Sequence, residues 1–284
     1  MCWPFFKSII FTTTDISSLN LIVYRHFMEY ALITGASRGI GKAIAEELAR
    51  RGFNLVLVAR SGDLLKQVTD EITSRYRVKA DWLALDLSEK GAAQQLYDWC
   101  KDRSYTIQVL VNNAGYGLSG PFEKYGLDEH LNMMQLNMNT LVSLTRLFLP
   151  ELRSQPRSYI MNIASSAAYQ AVPGLSVYAA TKSFVLAFSR GLHQELHKGP
   201  VSVTCISPGA TDTDFPNRAQ IGEKGLKAAQ KLNMTPAAVA STAVKAMLAG
   251  KSEVITGLVN KLGAVMAWLL PKTLVERTAM KIYE

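Results

Sequence analysis

The sequence predicts an α/β domain: one doubly wound parallel sheet with helices on both faces, followed by an extra C-terminal helical segment. Three observations carry that expectation. From Glu29 to Gly257, short apolar runs alternate with longer stretches of helical spacing, the order of a parallel sheet covered on both sides. Two of those runs, Asn54–Ala59 and Ile107–Val111, are almost wholly apolar, as strands buried on both faces are. A glycine-rich turn stands at the first strand-to-helix junction. With 284 residues, 48% hydrophobic and 19% charged, and a mean hydropathy of +0.07, the chain has ample material for one large core. No internal repeat, low-complexity linker or break in composition divides it. A single domain is therefore expected over 29–257, between an N-terminal extension (1–28) and an amphipathic helical tail (258–284).

The elements follow in order. Ala31–Ile33 reads as the first strand and Ile40–Arg51 as the first helix; Asn54–Ala59 is the second strand and Leu64–Tyr76 the next helix. Lys79–Leu87 is strand-like, Ala92–Arg103 helical, and Ile107–Val111 a buried strand. Leu127–Arg153 makes one long helix, with its stop near Pro150 and Pro156. Ser158–Ile163, Leu175–His197 and Val201–Ile206 repeat strand, helix, strand, and Glu253–Gly257 is a last short strand.

Thr34-Gly35-Ala36-Ser37-Arg38-Gly39-Ile40-Gly41 leaves the first strand and opens the first helix. Glycines let a backbone turn sharply and approach a pyrophosphate, whose charge is favoured by the free N–H groups of a helix N-terminus. Alone such a turn is ambiguous; at the first turn of a βαβαβ pattern it points to a dinucleotide. Charge then selects the cofactor. An acid at the tip of the second strand would hold the ribose hydroxyls of NAD and repel a 2′-phosphate. Here that tip reads Val58-Ala59-Arg60-Ser61, and Arg38 lies inside the glycine turn. Two charge-assisted phosphate contacts at about 1.5–3 kcal/mol each favour NADP(H) by about two orders of magnitude or more.

Lys+Arg 31 against Asp+Glu 23 gives a net charge of +8. The basic residues are spread along the chain, which speaks for an anionic small ligand rather than nucleic acid. Cys2, Cys100 and Cys205 stand far apart, as in a chain kept reduced in the cytoplasm without a disulfide framework or metal site. In residues 1–27 no apolar run reaches the roughly 18 residues of a membrane helix, and no secretory signal is clear. The expectation there is a flexible extension or a start at Met28, with a peripheral anchor or partner contact as the competing reading.

Tyr178 and Lys182 lie four apart on a helical stretch, hence on one face. A free tyrosine titrates near pH ~10 and is a poor acid–base group at neutrality; a neighbouring ammonium stabilises its phenolate. At this point the chain resembles the short-chain dehydrogenase/reductase family, a Rossmann-like fold. The motifs that carry the resemblance are TGASRGIG at Thr34–Gly41, Asp86, NNAG at Asn112–Gly115, Asn137, Ser165, YAATK at Tyr178–Lys182 and PGATDT at Pro208–Thr213, in the family's order. The resemblance spans about residues 29 to 213, and more loosely to about 256.

The resemblance implies Tyr178 as the acid–base, Lys182 as holder of the nicotinamide ribose, and Ser165 as hydrogen-bond donor to the carbonyl. Ser166 competes by residue type, but Ser165 has the family's interval of thirteen residues before Tyr178. Of Asn137 and Asn139, the pattern falls on Asn137, which would support a water in the proton relay. Gly35, Ser37, Arg38, Gly39, Ile40 and Gly41 would cradle the pyrophosphate and Arg60 the 2′-phosphate. Asp86 would meet the adenine; Asn112, Asn113, Ala114 and Gly115 would lie beside the adenosine ribose, and Pro208, Gly209 and Thr213 beside the nicotinamide. The implied activity is NADPH-dependent reduction of a lipophilic ketone or 3-oxoacyl-type carbonyl, or its reverse. The alternative is a non-catalytic NADP-binding regulatory protein, against which the Ser–Tyr–Lys set argues. No metal is expected: His193 and His197 are i,i+4 but lack partners at metal spacing.

The tail departs from the family pattern. Leu258, Leu262, Val265, Met266 and Leu269 recur at helical spacing before Leu270-Pro271. Such a stripe is expected to pack on its own domain or cap the cleft; the competing reading is a membrane surface, which Trp268 and Lys272 would suit. The tail also displaces the tetramer contact many relatives make, leaving a homodimer through Leu127–Arg153 and Leu175–His197 as the expected assembly.

Overall fold

The computed structural model describes residues 29–212, 219 and 233–283. Seven parallel strands form one sheet in the order β3-β2-β1-β4-β5-β6-β7. They are β1 Glu29–Thr34, β2 Asn54–Ala59, β3 Ala80–Ala84, β4 Thr106–Asn112, β5 Ser158–Ile163, β6 Val201–Ser207 and β7 Glu253–Ile255. The order reverses at β1, whose neighbours are β2 and β4. That is the switch point where doubly wound sheets open a crevice beyond their carboxyl ends.

Strand residues divide by parity between two buried layers, because successive side chains leave opposite faces of a strand. Ile33, Leu55, Leu57 and Val111 pack with Ile44 and Leu48 of helix α1 (Gly39–Arg50), Leu65 and Ile72 of α2 (Gly62–Arg75), and Val244 and Met247. On the other face Leu32, Val56, Val58 and Leu110 pack with Leu96 and Cys100 of α3 (Ala92–Asp102) and with Phe148 and Leu192.

Three local differences from the sequence reading have physical causes. The third strand stops at Ala84 rather than Leu87 because Asp86 closes a turn, its Oδ1 accepting from the Ser88 N–H at 2.9 Å and hydroxyl at 2.7 Å. The long helix is α4 (Leu127–Met134) and α5 (Leu141–Arg153), joined by a π-helical turn, Gln135–Thr140. It ends at Arg153 as expected, with Pro150 inside its last turn. Sequence reasoning also missed α7 (Pro236–Leu248). Its signal was present: Thr235 caps it, accepting from the Ala238 N–H at 3.2 Å, and Pro236 fills the first position, where its missing N–H costs nothing.

After β7 come two helices, α8 (Leu258–Leu269) and α9 (Lys272–Tyr283). The expected apolar stripe exists but does not pack on the domain. Leu258, Leu262 and Leu269 are 83%, 62% and 61% exposed.

Candidate active site

Thr34 is the hub of the crevice. Its hydroxyl donates to the Val111 carbonyl at 3.1 Å and accepts the N–H groups of Asn113 and Ala114, each at 3.0 Å. Asn113 returns the tie, its Nδ2 donating to the carbonyls of Thr34 at 2.8 Å and Gly35 at 3.2 Å. The turn after β1 and the turn after β4 are thus one bonded unit. Gly35 adopts φ +67°, and a Cβ on Gly41 would stand 2.3 Å from the Gly35 carbonyl oxygen. No side chain caps α1 and no acid lies in its first turn, so its N–H groups face outward with the helix dipole behind them. These features fit a pyrophosphate.

Arg38, at the N-cap of α1, is exposed, and so is Arg60 at the tip of β2. The Arg60 guanidinium lies 3.6 Å from Asp86. Burial pushes the Asp86 carboxyl up, but Ser88 hydrogen bonds and the Arg60 charge outweigh it and hold it below the usual range. Arg60 and Asp86, both singled out for the adenosine end, therefore stand together. The carboxylate at this tip is thus paired with an exposed cation. Asn112 is buried, its Nδ2 shared between Thr145 and Asn162, at 3.1 and 2.9 Å, so it braces β4 against β5 and α5.

The reacting end is framed by α6 (Ser176–Leu196), the π turn and the segments after β5 and β6. Asn137 is buried in the π turn, where one extra residue per turn re-aims a side chain. Its Nδ2 donates to the Tyr116 carbonyl at 2.9 Å and the Thr181 hydroxyl at 3.0 Å, while its Oδ1 accepts the Tyr116 N–H at 3.1 Å. Asn139 lies on the exposed side, bonded to Gln135. Lys182 is buried; its Nζ donates to the Ile163 carbonyl at 2.8 Å and lies 5.8 Å from the Tyr178 ring centre. Burial pulls its ammonium pKa down to about 8. A Cβ on Gly115 would stand 2.8 Å from Asn137 Oδ1 and 3.5 Å from Lys182 Nζ; this is why the NNAG turn ends in glycine.

Ser165 opens a 3-10 turn, Ser166–Tyr169, its Oγ accepting the Ala167 N–H at 3.1 Å and its own proton left to give. The Ser166 backbone N–H donates to the Pro208 carbonyl at 2.7 Å. That bond joins the segment after β5 to the Pro208–Gly209 turn after β6. Thr213 and most of the expected cleft cover lie outside the described residues. Ala219 is described and buried, its carbonyl accepting the Ser119 N–H at 2.9 Å. Sequence reasoning missed Asn260 of α8, whose amide lies 2.1 to 2.3 Å from where a Cβ on Gly209 would stand. No local pattern announces that contact.

The family model for short chain dehydrogenases matches residues 29–224. The chain belongs to that family. The short-chain dehydrogenase is also 37% identical over 185 residues to a very-long-chain 3-oxoacyl-CoA reductase of Anas platyrhynchos. It is 36% identical over 188 residues to the reductase of that name from Homo sapiens. Each match covers 63% of this chain and 58% of the relative, so the alignment spans little more than half the length of these curated proteins. Among solved structures, a 7β-hydroxysteroid dehydrogenase superposes with a TM-score of 0.80 at 25% identity, over 90% of this chain and 98% of that one. A short-chain dehydrogenase from Sphingobium yanoikuyae in complex with NADPH gives 0.75 at 29% identity, over 85% and 93%.

Elsewhere, His193 and His197 bond through Nδ1 to the carbonyls of Val203 and Gln194. Among the described residues no cluster of three or more His, Cys, Asp or Glu side chains gathers at metal-binding distance. Burial pushes the Cys100 thiol up to about 12 and the Cys205 thiol up to about 11. Both are inert packing residues. No described helix is long and apolar enough to cross a membrane.

Proposed function

We propose that this chain is an NADP(H)-dependent oxidoreductase that reduces a carbonyl to an alcohol, or runs the reverse, with Tyr178 as acid–base. The observation that carries the reading is the Asn137–Gly115–Lys182 packing beside Tyr178, at the carboxyl end of a sheet whose first turn fits a pyrophosphate. A protein that only bound the dinucleotide would need no such set.

When bound, the nicotinamide supplies the hydride. The chain supplies orientation and a proton. Ser165 donates its hydroxyl proton in a hydrogen bond to the substrate oxygen. Tyr178 gives that oxygen its proton as negative charge develops on it. Lys182, held by the Ile163 carbonyl, keeps a positive charge beside the ring and so favours the phenolate left behind. Asn137 fixes the backbone at Tyr116, and with it the wall between the two turns. Arg38 and Arg60 would hold the 2′-phosphate, and Pro208–Gly209 would border the nicotinamide.

A lipophilic ketone or 3-oxoacyl-type carbonyl is the substrate class, supported by the names of the relatives. A homodimer through α4–α5 and α6 is the assembly, supported by Phe184, an exposed aromatic on α6. The cytoplasm is the setting, supported by free Cys100 and Cys205.

The test is a titration with NADPH and NADH by nicotinamide fluorescence, followed by a carbonyl panel. NADPH should bind at least about tenfold more tightly than NADH, and Arg60→Asp should erase the difference. Equal affinities in the native protein would overturn the cofactor assignment. Turnover retained by Tyr178→Phe would overturn the mechanism.

A further inference from the structure

Helix α8 is inside out. Its inward line is Asn260, Ala264 and Ala267, spaced i, i+4, i+7, of which only Ala267 is fully buried. Its large apolar side chains take the opposite side. Leu258, Leu262, Val265 and Leu269 form a line spaced i, i+4, i+7, i+11, and all four are exposed. Val259 and Met266 widen that face, and Trp268 is 79% exposed beside it. In α9 the pattern continues, with Ala279 buried and Leu274 and Met280 exposed. Small residues inward let the helix lie close against the 3-10 turn Ser166–Tyr169 and the Pro208–Gly209 turn. Nothing about that packing requires leucine and tryptophan on the outer side. A contiguous apolar face of this kind marks a contact surface.

The charges around it select the occupant. Lys261 lies within the helix and Arg277 follows it on α9, while Lys272 closes the junction by donating to the Ala267 carbonyl at 2.7 Å, against the single acid Glu276 over the described part of this segment. A groove of about 860 Å³ opens at the start of α8, where Leu258 and Lys261 share its wall with Lys245 and Lys251 of the neighbouring elements. The carboxylate in that groove, Glu253, is already neutralised by Arg190 at 2.5 Å. An apolar face with an aromatic and a basic border fits acyl chains below and anionic headgroups above. A buried protein partner would have to desolvate those lysines, whereas a lipid interface leaves them among phosphates.

We propose that α8 and α9 form a docking surface for an anionic phospholipid membrane, with α8 lying in the interface plane. The helix rests on the turns after β5 and β6, so docking sets the mouth of the crevice against the lipid. The surface stands on its own geometry and does not depend on the catalytic assignment.

The experiment is flotation of the full chain with phosphatidylcholine vesicles, with and without phosphatidylserine. Binding is expected to the phosphatidylserine vesicles, weakened by added salt. The double variant Leu262→Asp/Trp268→Asp should bind about tenfold more weakly or worse, and Trp268→Phe should bind like the native chain. Both substituted positions are exposed, and an unchanged far-ultraviolet circular dichroism spectrum shows that each variant is folded. No vesicle binding, or binding untouched by the double substitution, overturns the proposal. So does a concentration-dependent oligomer that the double substitution abolishes, because that assigns the face to a second copy of the chain.

Discussion

The crevice at the head of β1 and β4 and the helix pair α8–α9 handle their side chains in opposite ways. In the crevice, polar groups turn inward and are tied across the sequence: Thr34 to Asn113 and Ala114, Asn137 to Tyr116 and Thr181. In α8, small residues turn inward and bulky apolar ones outward. A tied polar site tolerates little, since removing one partner leaves a buried group unsatisfied. An outward apolar face constrains the fold little, and what it meets outside decides its identity. The first region holds the proposed chemistry and the second the proposed docking surface.

Substitutions can break or sharpen this contrast. The largest effect is expected from Tyr178→Phe, which should lower turnover about a thousandfold, within the usual 10²–10⁴ range for a lost acid–base group, while NADPH titration gives an unchanged affinity. Next, Gly41→Ala places a methyl 2.3 Å from the Gly35 carbonyl. Urea denaturation should show a loss of about 3 kcal/mol, the upper end for overpacking, with cofactor binding lost as well. A loss under about 0.5 kcal/mol would mean that the turn is looser than the contrast requires.

Lys182→Met is a subtler test. Folded Lys182 gives up its proton near pH 8, against 10.5 when unfolded. Between those values the unfolded chain holds a proton that the folded chain has lost, so the native protein gains stability as pH rises through that window. Below pH 8 both states are protonated and the cost of burying the charge is constant. Urea midpoints from pH 7 to 10 should converge on those of Lys182→Met as pH rises; parallel curves would contradict the burial argument. The smallest effect belongs to Leu262→Asp on the outer face of α8, where stability should stay within about 0.5 kcal/mol of the native value. A larger loss would show that the face is packed in solution.

The sequence disclosed what periodicity and local chemistry encode. β2 falls on its expected residues because a strand buried on both faces is apolar almost without a break, and β5 does so too although Ser158 and Asn162 are buried polar residues within it. The members of the proposed site, from Gly35 through Lys182, stand at one end of the sheet. What stayed hidden is set by contacts between distant stretches. Nothing near Asn137 says that the helix inserts a π turn there; the turn exists because Tyr116, twenty-one residues away, offers both backbone groups to one amide. The same holds for Asn260 against Gly209. The outward direction of the α8 stripe was illegible for a different reason. A helical period gives the angle between residues but not which side the domain occupies, and that side is fixed by alanines that carry no signal of their own.

The tie between Thr34 and Asn113, seventy-nine residues apart, has a kinetic consequence. The glycine turn is not finished when β1 and α1 have formed; its carbonyls are fixed only once β4 has docked beside them. During refolding, a dinucleotide has no completed cradle to find until half the sheet is assembled. It therefore acts on the finished protein by mass action, raising the unfolding midpoint and slowing escape from the native state. Closing a loop of that length adds to the folding barrier before any ligand can help.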